Sequence, residues 1–190
     1  MKSKIYDRLF NSSVGTFLAY LWHRSRFILK KPKNLNLHLG CGNIRRKEFI
    51  NIDHRRTRAT DMVCDIRKLP YPSNSVEIIE SYHVIEHVSH AQVPKMLREW
   101  FRVLKHGGKL IIECPDFDRA AKEYLEGNEQ RIYNIFGLQR FPGDIHLFGY
   151  NPSRISTILS NAGFTGIRQA EPIDYHKEEE PCMRIECVKE

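Results

Sequence analysis

Three apolar runs near the start of the chain each end on glycine or a carboxylate. Leu35 to Leu39 leads into Gly40-Cys41-Gly42-Asn43, Phe49 to Ile52 ends on Asp53, and Met62 to Cys64 ends on Asp65. Strands with polar tips at one end of a sheet bring those tips to one crevice. A strand that ends in glycines lets its backbone approach a ligand closely, and a carboxylate on the next strand can accept from both hydroxyls of a ribose. Asp65 could then accept from an adenine amine. The three tips together describe a nucleoside site, which Gly-x-Gly alone would not.

A distance narrows the ligand. Only twelve residues separate Gly40 from Asp53, and they must hold a turn and the strand Phe49 to Asp53. At about 1.5 Å per residue this leaves room for one helical turn, not the long helix whose N-terminus faces a dinucleotide pyrophosphate. A nucleoside that needs no phosphate clamp fits best. The intervening Asn43-Ile44-Arg45-Arg46-Lys47-Glu48 is basic, which suits a carboxylate on the ligand as well as a solvated loop.

The chain resembles the class I S-adenosylmethionine-dependent methyltransferases, in particular small ones with a short segment after the Gly-rich turn. Four stretches between Leu35 and Phe164 carry the likeness: LHLGCGN from Leu37, NID from Asn51, VCDIRKLPYPSNSVEIIESYHVIEHV from Val63, and LREWFRVLKHGGKLIIECPD from Leu97. The resemblance implies an S-adenosylmethionine site. Gly40 and Gly42 would pack against the methionine part, with Cys41 and Asn43 in the same loop. Asp53 would hold the ribose, and Asp65 with Ile66 would meet the adenine. Ser81, Tyr82 and His83 would border the methionine end and the methyl group. It departs from the family pattern in its nearly absent first helix.

The expected fold is α/β, a doubly wound, mostly parallel seven-stranded sheet. Strands are expected at 35–39, 49–53, 61–64, 76–81, 109–114, 164–170 and 183–188. The resemblance implies that the last, Arg184 to Lys189, runs antiparallel. Val93, Leu97, Trp100 or Phe101, and Leu104 recur at helical spacing, with Gly107-Gly108 as the stop. Asn151-Pro152 opens another helix, whose Ile155, Ile158, Leu159 and Ala162 face the core.

Two segments are expected: 35–190 as the cofactor-binding methyltransferase domain, and 1–34 as a helical, aromatic and basic appendage. Tyr6, Leu9, Phe10, Val14, Phe17, Leu18, Leu21 and Trp22 supply the aromatic and apolar stripe, and His23 to Lys33 the charge. The appendage suits packing on the sheet or a partner, contact with an anionic membrane, or cover for the site. An apolar content of 41% supplies a core, and no run is long enough to span a bilayer. With no secretion signal and five cysteines largely on expected strands, the expected setting is cytoplasmic, with thiols buried. The net charge of +7 is dispersed, without basic runs interleaved with aromatics, so nucleic acid is not the expected partner.

Chemistry is expected at two further places. Glu80 to His87 follows the fourth strand. There His83 is the expected solvent-facing proton acceptor, His87 a structural histidine tying that loop to the cofactor loop, and Glu86 an orienting carboxylate. His-x-x-Glu-His also matches an inverted zinc motif, but the long helix and distant Glu of that motif are missing, so no metal is expected. The second place, Gln139 to Tyr150, reads as a lid with His146 as another base, and Arg140 as either solvated or facing an anionic acceptor. Asp116 and Asp118 either meet a substrate hydroxyl or cap the helix near Phe117. The leading expectation is methyl transfer to a small-molecule or lipid-linked acceptor. A catalytically silent cofactor-binding interaction protein and an NAD-dependent oxidoreductase are the rival classes.

Overall fold

The computed structural model describes residues 34–190, so the expected helical appendage lies outside the described residues except for its last position. Seven strands are present: β1 (Asn36–Leu39), β2 (Ile50–Asp53), β3 (Met62–Val63), β4 (Val76–Tyr82), β5 (Leu104–Pro115), β6 (Thr165–Ala170) and β7 (Cys182–Val188). They form one sheet in the order β3-β2-β1-β4-β5-β7-β6. The first five are parallel, and β7 runs antiparallel to both neighbours. Strand order reverses between β1 and β4, which opens a crevice at their carboxyl ends.

Among the described residues four α-helices accompany the sheet: α1 (Val93–Val103), α2 (Phe117–Leu125), α3 (Arg131–Phe136) and α4 (Pro152–Asn161). α1 buries Val93, Met96, Leu97, Trp100 and Val103, the three-and-four spacing of one helical face. Each such side chain contributes about 1.5–3 kcal/mol of burial. They meet Leu37, Leu39, Ile52, Ile79, Leu110 and Ile112 of the sheet in one core, which also takes Ile155 and Leu159 of α4. α4 starts as expected, with Pro152 in its first turn and the Asn151 side chain accepting from the Arg154 N–H.

The end of α1 differs from expectation. The helix stops at Val103, and Gly107-Gly108 lies within β5, where the pairing with β4 shifts register between Val76 and Ile78. The stop comes from elsewhere in the chain. Lys189 donates to the carbonyls of Phe101 at 2.7 Å and Leu104 at 2.9 Å, and to Asn74 Oδ1 at 2.8 Å, satisfying acceptors that a helix end leaves open.

Between β1 and β2 no helix forms, as the residue count requires. Asn51 organises this span instead. Its Oδ1 accepts from His38 Nδ1 at 3.1 Å and the Arg46 N–H at 2.9 Å, and its Nδ2 donates to the carbonyls of Arg46 and Phe49, both at 3.1 Å.

Candidate active site

The crevice widens into a cleft of about 1590 Å³ lined from the tips of β1 to β4, from residues 130–147 and from the β6–β7 connection. Asp53 sits at its β2 edge. One carboxylate oxygen accepts from the Gly42 N–H at 2.8 Å, the other from the Arg55 N–H at 2.8 Å, with His54 Nδ1 at 3.2 Å. Burial raises its pKa, and these donors outweigh the burial and hold it below the ordinary carboxylate value. Asp53 therefore also shapes the Gly-rich turn.

The two glycines differ. Gly40 has φ +74°, and a side-chain carbon there would lie 2.1 Å from Val84 Cγ2, so the turn after β1 packs directly on the turn after β4. Gly42 has φ +51° and nothing within 4 Å of the same position. Cys41 and Asn43 line the cleft beside them. Thr57 donates from its hydroxyl to the Gly42 carbonyl at 2.5 Å, fastening the turn to the segment after β2.

Asp65 and Ile66 line the adjoining wall. Asp65 is half-exposed and held by Arg67 through Nε at 2.9 Å and Nη2 at 2.9 Å. Ile66 gives its carbonyl to Trp100 Nε1 at 2.9 Å, tying this wall to α1. Tyr82 lines the cleft under the Arg46 guanidinium, 4.2 Å from its ring centroid. Ser81 does not join them. It is buried in β4, paired with Leu39 and Ile112, and the cleft is lined from Tyr82 onward.

The far end of the cleft is rich in titratable groups. His83 is not solvent-facing: its side chain is 10% exposed and its backbone has φ +51°. Both ring nitrogens face protein partners. Nδ1 lies 3.2 Å from Glu180 and 3.5 Å from Glu86, and Nε2 lies 3.6 Å from the Cys182 thiol. Burial opposes its charge, but Cys182 and Glu86 hold its pKa well above the ordinary value. A ring so engaged positions its neighbours and is poorly placed to take a proton from an acceptor.

His87 donates from Nδ1 to the Ile145 carbonyl at 2.8 Å, so it ties the β4 turn to the expected lid and not to the cofactor loop. His146 donates from Nδ1 to the Asn134 carbonyl at 2.8 Å, and the His87 and His146 rings meet edge to face, 4.9 Å between centroids. The Leu147 N–H donates to the Glu86 carbonyl at 2.7 Å, a third tie across the same seam. Arg140 pairs with Asp144 at 2.8 Å. Asp116 caps α2 by accepting from the Arg119 N–H, and Asp118 accepts from Asn151 Nδ2 at 2.8 Å. Asp116 thus takes the capping alternative, whereas Asp118 ties the first turn of α2 to the N-cap residue of α4.

Residues 37–112 match the family model for a methyltransferase domain. The matched stretch is a methyltransferase domain, and the fold around it is that of the class I S-adenosylmethionine-dependent methyltransferases. Phosphoethanolamine N-methyltransferase 1 of Arabidopsis thaliana is 30% identical over 109 residues, covering 55% of this chain and 18% of that protein. The chain thus spans under a fifth of that relative's length. Among solved structures, an S-adenosylmethionine-dependent methyltransferase of Archaeoglobus fulgidus superposes with TM-score 0.60 at 15% identity, covering 98% of this chain and 99% of that one. Phosphoethanolamine N-methyltransferase 2 of Haemonchus contortus, solved with S-adenosyl-L-methionine, gives TM-score 0.51 at 15% identity, covering 98% and 59%. These structural likenesses are of fold. The family's cofactor is S-adenosylmethionine, and a nicotinamide oxidoreductase is set aside.

One part of this cleft was not singled out from the sequence, the β6–β7 connection. Asp174, Tyr175, His176, Glu179 and Glu180 all line the cleft. His176 lies 2.5 Å from Asp174 Oδ1 through Nδ1 and stacks on His83 at 3.9 Å. The available signal was the density of titratable residues in Asp174 to Glu180, between two expected strands. Among the described residues no helix is long and apolar enough to cross a membrane.

Proposed function

We propose that this chain transfers a methyl group from S-adenosylmethionine to a small-molecule or lipid-linked acceptor whose nucleophile lies beside His146. One observation carries the reading. His146 spends its Nδ1 proton on the Asn134 carbonyl, so the neutral ring keeps its lone pair on Nε2, in the same cleft as Asp53 and the Gly-rich turn.

The residues at the other end suit the cofactor. Gly42 leaves open space next to a charged Asp53, which supports the ribose role, and Asp65 with Ile66 supports the adenine end. Gly40, Cys41, Asn43 and Tyr82 complete the cradle. When bound, S-adenosylmethionine supplies an electrophilic methyl on sulfur. The chain's own work is to align the acceptor, exclude water and relieve the acceptor of a proton where it carries one. His146 serves that last task, and His83 positions the wall behind it.

Residues 35–190 act as one domain in this reading, with 1–34 as a membrane or protein contact. Five free, buried cysteines suit a reducing compartment such as the cytoplasm. The test is acceptor-dependent formation of S-adenosylhomocysteine, with amines first in the panel because the named relatives are N-methyltransferases. Turnover that falls about 10²–10⁴-fold in His146→Ala, with cofactor affinity retained, supports the reading. Tight cofactor binding with no product from any acceptor favours the silent interaction protein.

A further inference from the structure

We propose that Glu86, His87 and His146 form a site for a divalent transition-metal ion of the zinc class at the acceptor end of the cleft. One ligand atom from each lies within 4.8 Å of the other two. Glu86 and His87 come from the 3-10 turn after β4, and His146 from the lid.

Two independent features prepare these groups for an ion. Both histidines anchor Nδ1 on a backbone carbonyl, His87 on Ile145 and His146 on Asn134, each at 2.8 Å. This outer bond is the one that fixes the tautomer and orientation of metal-ligating imidazoles and leaves Nε2 as the donor. Glu86, 2% exposed, has no hydrogen-bond partner on either carboxylate oxygen. Its nearest charged neighbour is His83 Nδ1, 3.5 Å away and closer to Glu180. A buried carboxylate whose compensating neighbour His83 is shared with Glu180 remains costly, and a cation between it and two imidazoles offsets that cost.

The neighbouring groups of His83 with Asp174 and His176, and of His83 with Glu180 and Cys182, have comparable spacing. Their donor atoms are already engaged with one another: His176 with Asp174 at 2.5 Å, and His83 with Glu180 and Cys182. Two imidazoles and one carboxylate suit zinc, and three protein ligands leave a position for a substrate.

The inference rests on the methyl-transfer reading only for what the ion does. An acceptor hydroxyl or amine bound there loses its proton to water more readily. The freed lone pair takes the methyl as the carbon–sulfur bond breaks, and the ion changes no oxidation state. His146 then activates the acceptor through the ion instead of taking the proton itself.

The probe is Co²⁺, a zinc substitute with visible ligand-field absorption, titrated into the chelator-stripped full chain and displaced by Zn²⁺. One equivalent should bind. His87→Ala and His146→Ala should each weaken binding at least about 100-fold, beyond the roughly 10–100-fold of outer-shell changes, with S-adenosylmethionine affinity unchanged. Both rings sit at the edge of the cleft, so these variants carry the test if Glu86→Gln fails to fold. Absence of Co²⁺ binding, or binding undiminished in both histidine variants, overturns the site. Methyl transfer unaffected by chelation overturns the ion's role. Specific Co²⁺ binding with no methyl transfer leaves the site standing and counts against the proposed function instead.

Discussion

At the scale of single residues, Asp53 shapes the Gly-rich turn and is proposed to hold the ribose as well. Asp53→Ala removes the proposed ribose acceptor and releases the Gly42 N–H, and should weaken S-adenosylmethionine binding by about 2–4 kcal/mol in calorimetry. Because donors hold its folded pKa low, its stabilisation is complete above the usual carboxylate value and is lost as pH falls through the lowered one. Asp53→Asn should therefore flatten the acid limb of the stability profile, seen as a smaller fall in Tm below about pH 4 than in the parent chain. The glycines give a sharper contrast. Gly40→Ala forces a carbon to 2.1 Å from Val84 and should destabilise the fold by about 1–3 kcal/mol in urea unfolding. Gly42→Ala meets only its positive φ, near 1–2 kcal/mol, so any larger loss appears in cofactor affinity.

At the scale of elements, the acceptor wall depends on an ion pair inside the sheet. Glu113 of β5 and Arg184 of β7 face each other in register, 2.6 Å apart and buried. Glu113 also accepts from the N–H groups of Ile173 and Asp174, at 3.1 and 3.0 Å, which starts the β6–β7 connection. Arg184→Leu leaves that carboxylate unpaired and should cost about 3–5 kcal/mol in denaturant unfolding. A cost under about 1 kcal/mol would show that the pair does not hold the wall. Sequence alone revealed nearly every strand and the core face of α1, because apolar spacing states which side is buried. It misplaced the end of α1. Gly107-Gly108 resembles a helix stop locally, but the acceptors at the helix end are satisfied by Lys189, a contact that spacing cannot express.

At the scale of the whole molecule, the cleft divides between its two jobs along lines the sequence showed unequally. That the residues of the proposed nucleoside end line one cleft was legible because they sit at the tips of consecutive strands, where one local pattern repeats. The acceptor end is assembled from the β4 turn, the lid and the β6–β7 connection, distant in the chain and joined by side chain to backbone bonds such as His87 to Ile145. His83 illustrates the difficulty: it follows a strand, as a solvent-facing base would, yet Cys182 and Glu180 close over it from another connection. The His83 to His87 zinc motif was set aside because its long helix and further Glu are missing, and the proposed site instead draws its other imidazole, His146, from a loop. The central claim is that cofactor affinity and acceptor activation reside at opposite ends of one cleft. It is tested most directly by measuring S-adenosylmethionine affinity and acceptor-dependent turnover side by side in Asp53→Ala and His146→Ala. The account predicts that the first variant loses affinity and the second loses about 10²–10⁴-fold in turnover with affinity intact. Equal loss of both quantities in both variants would contradict it.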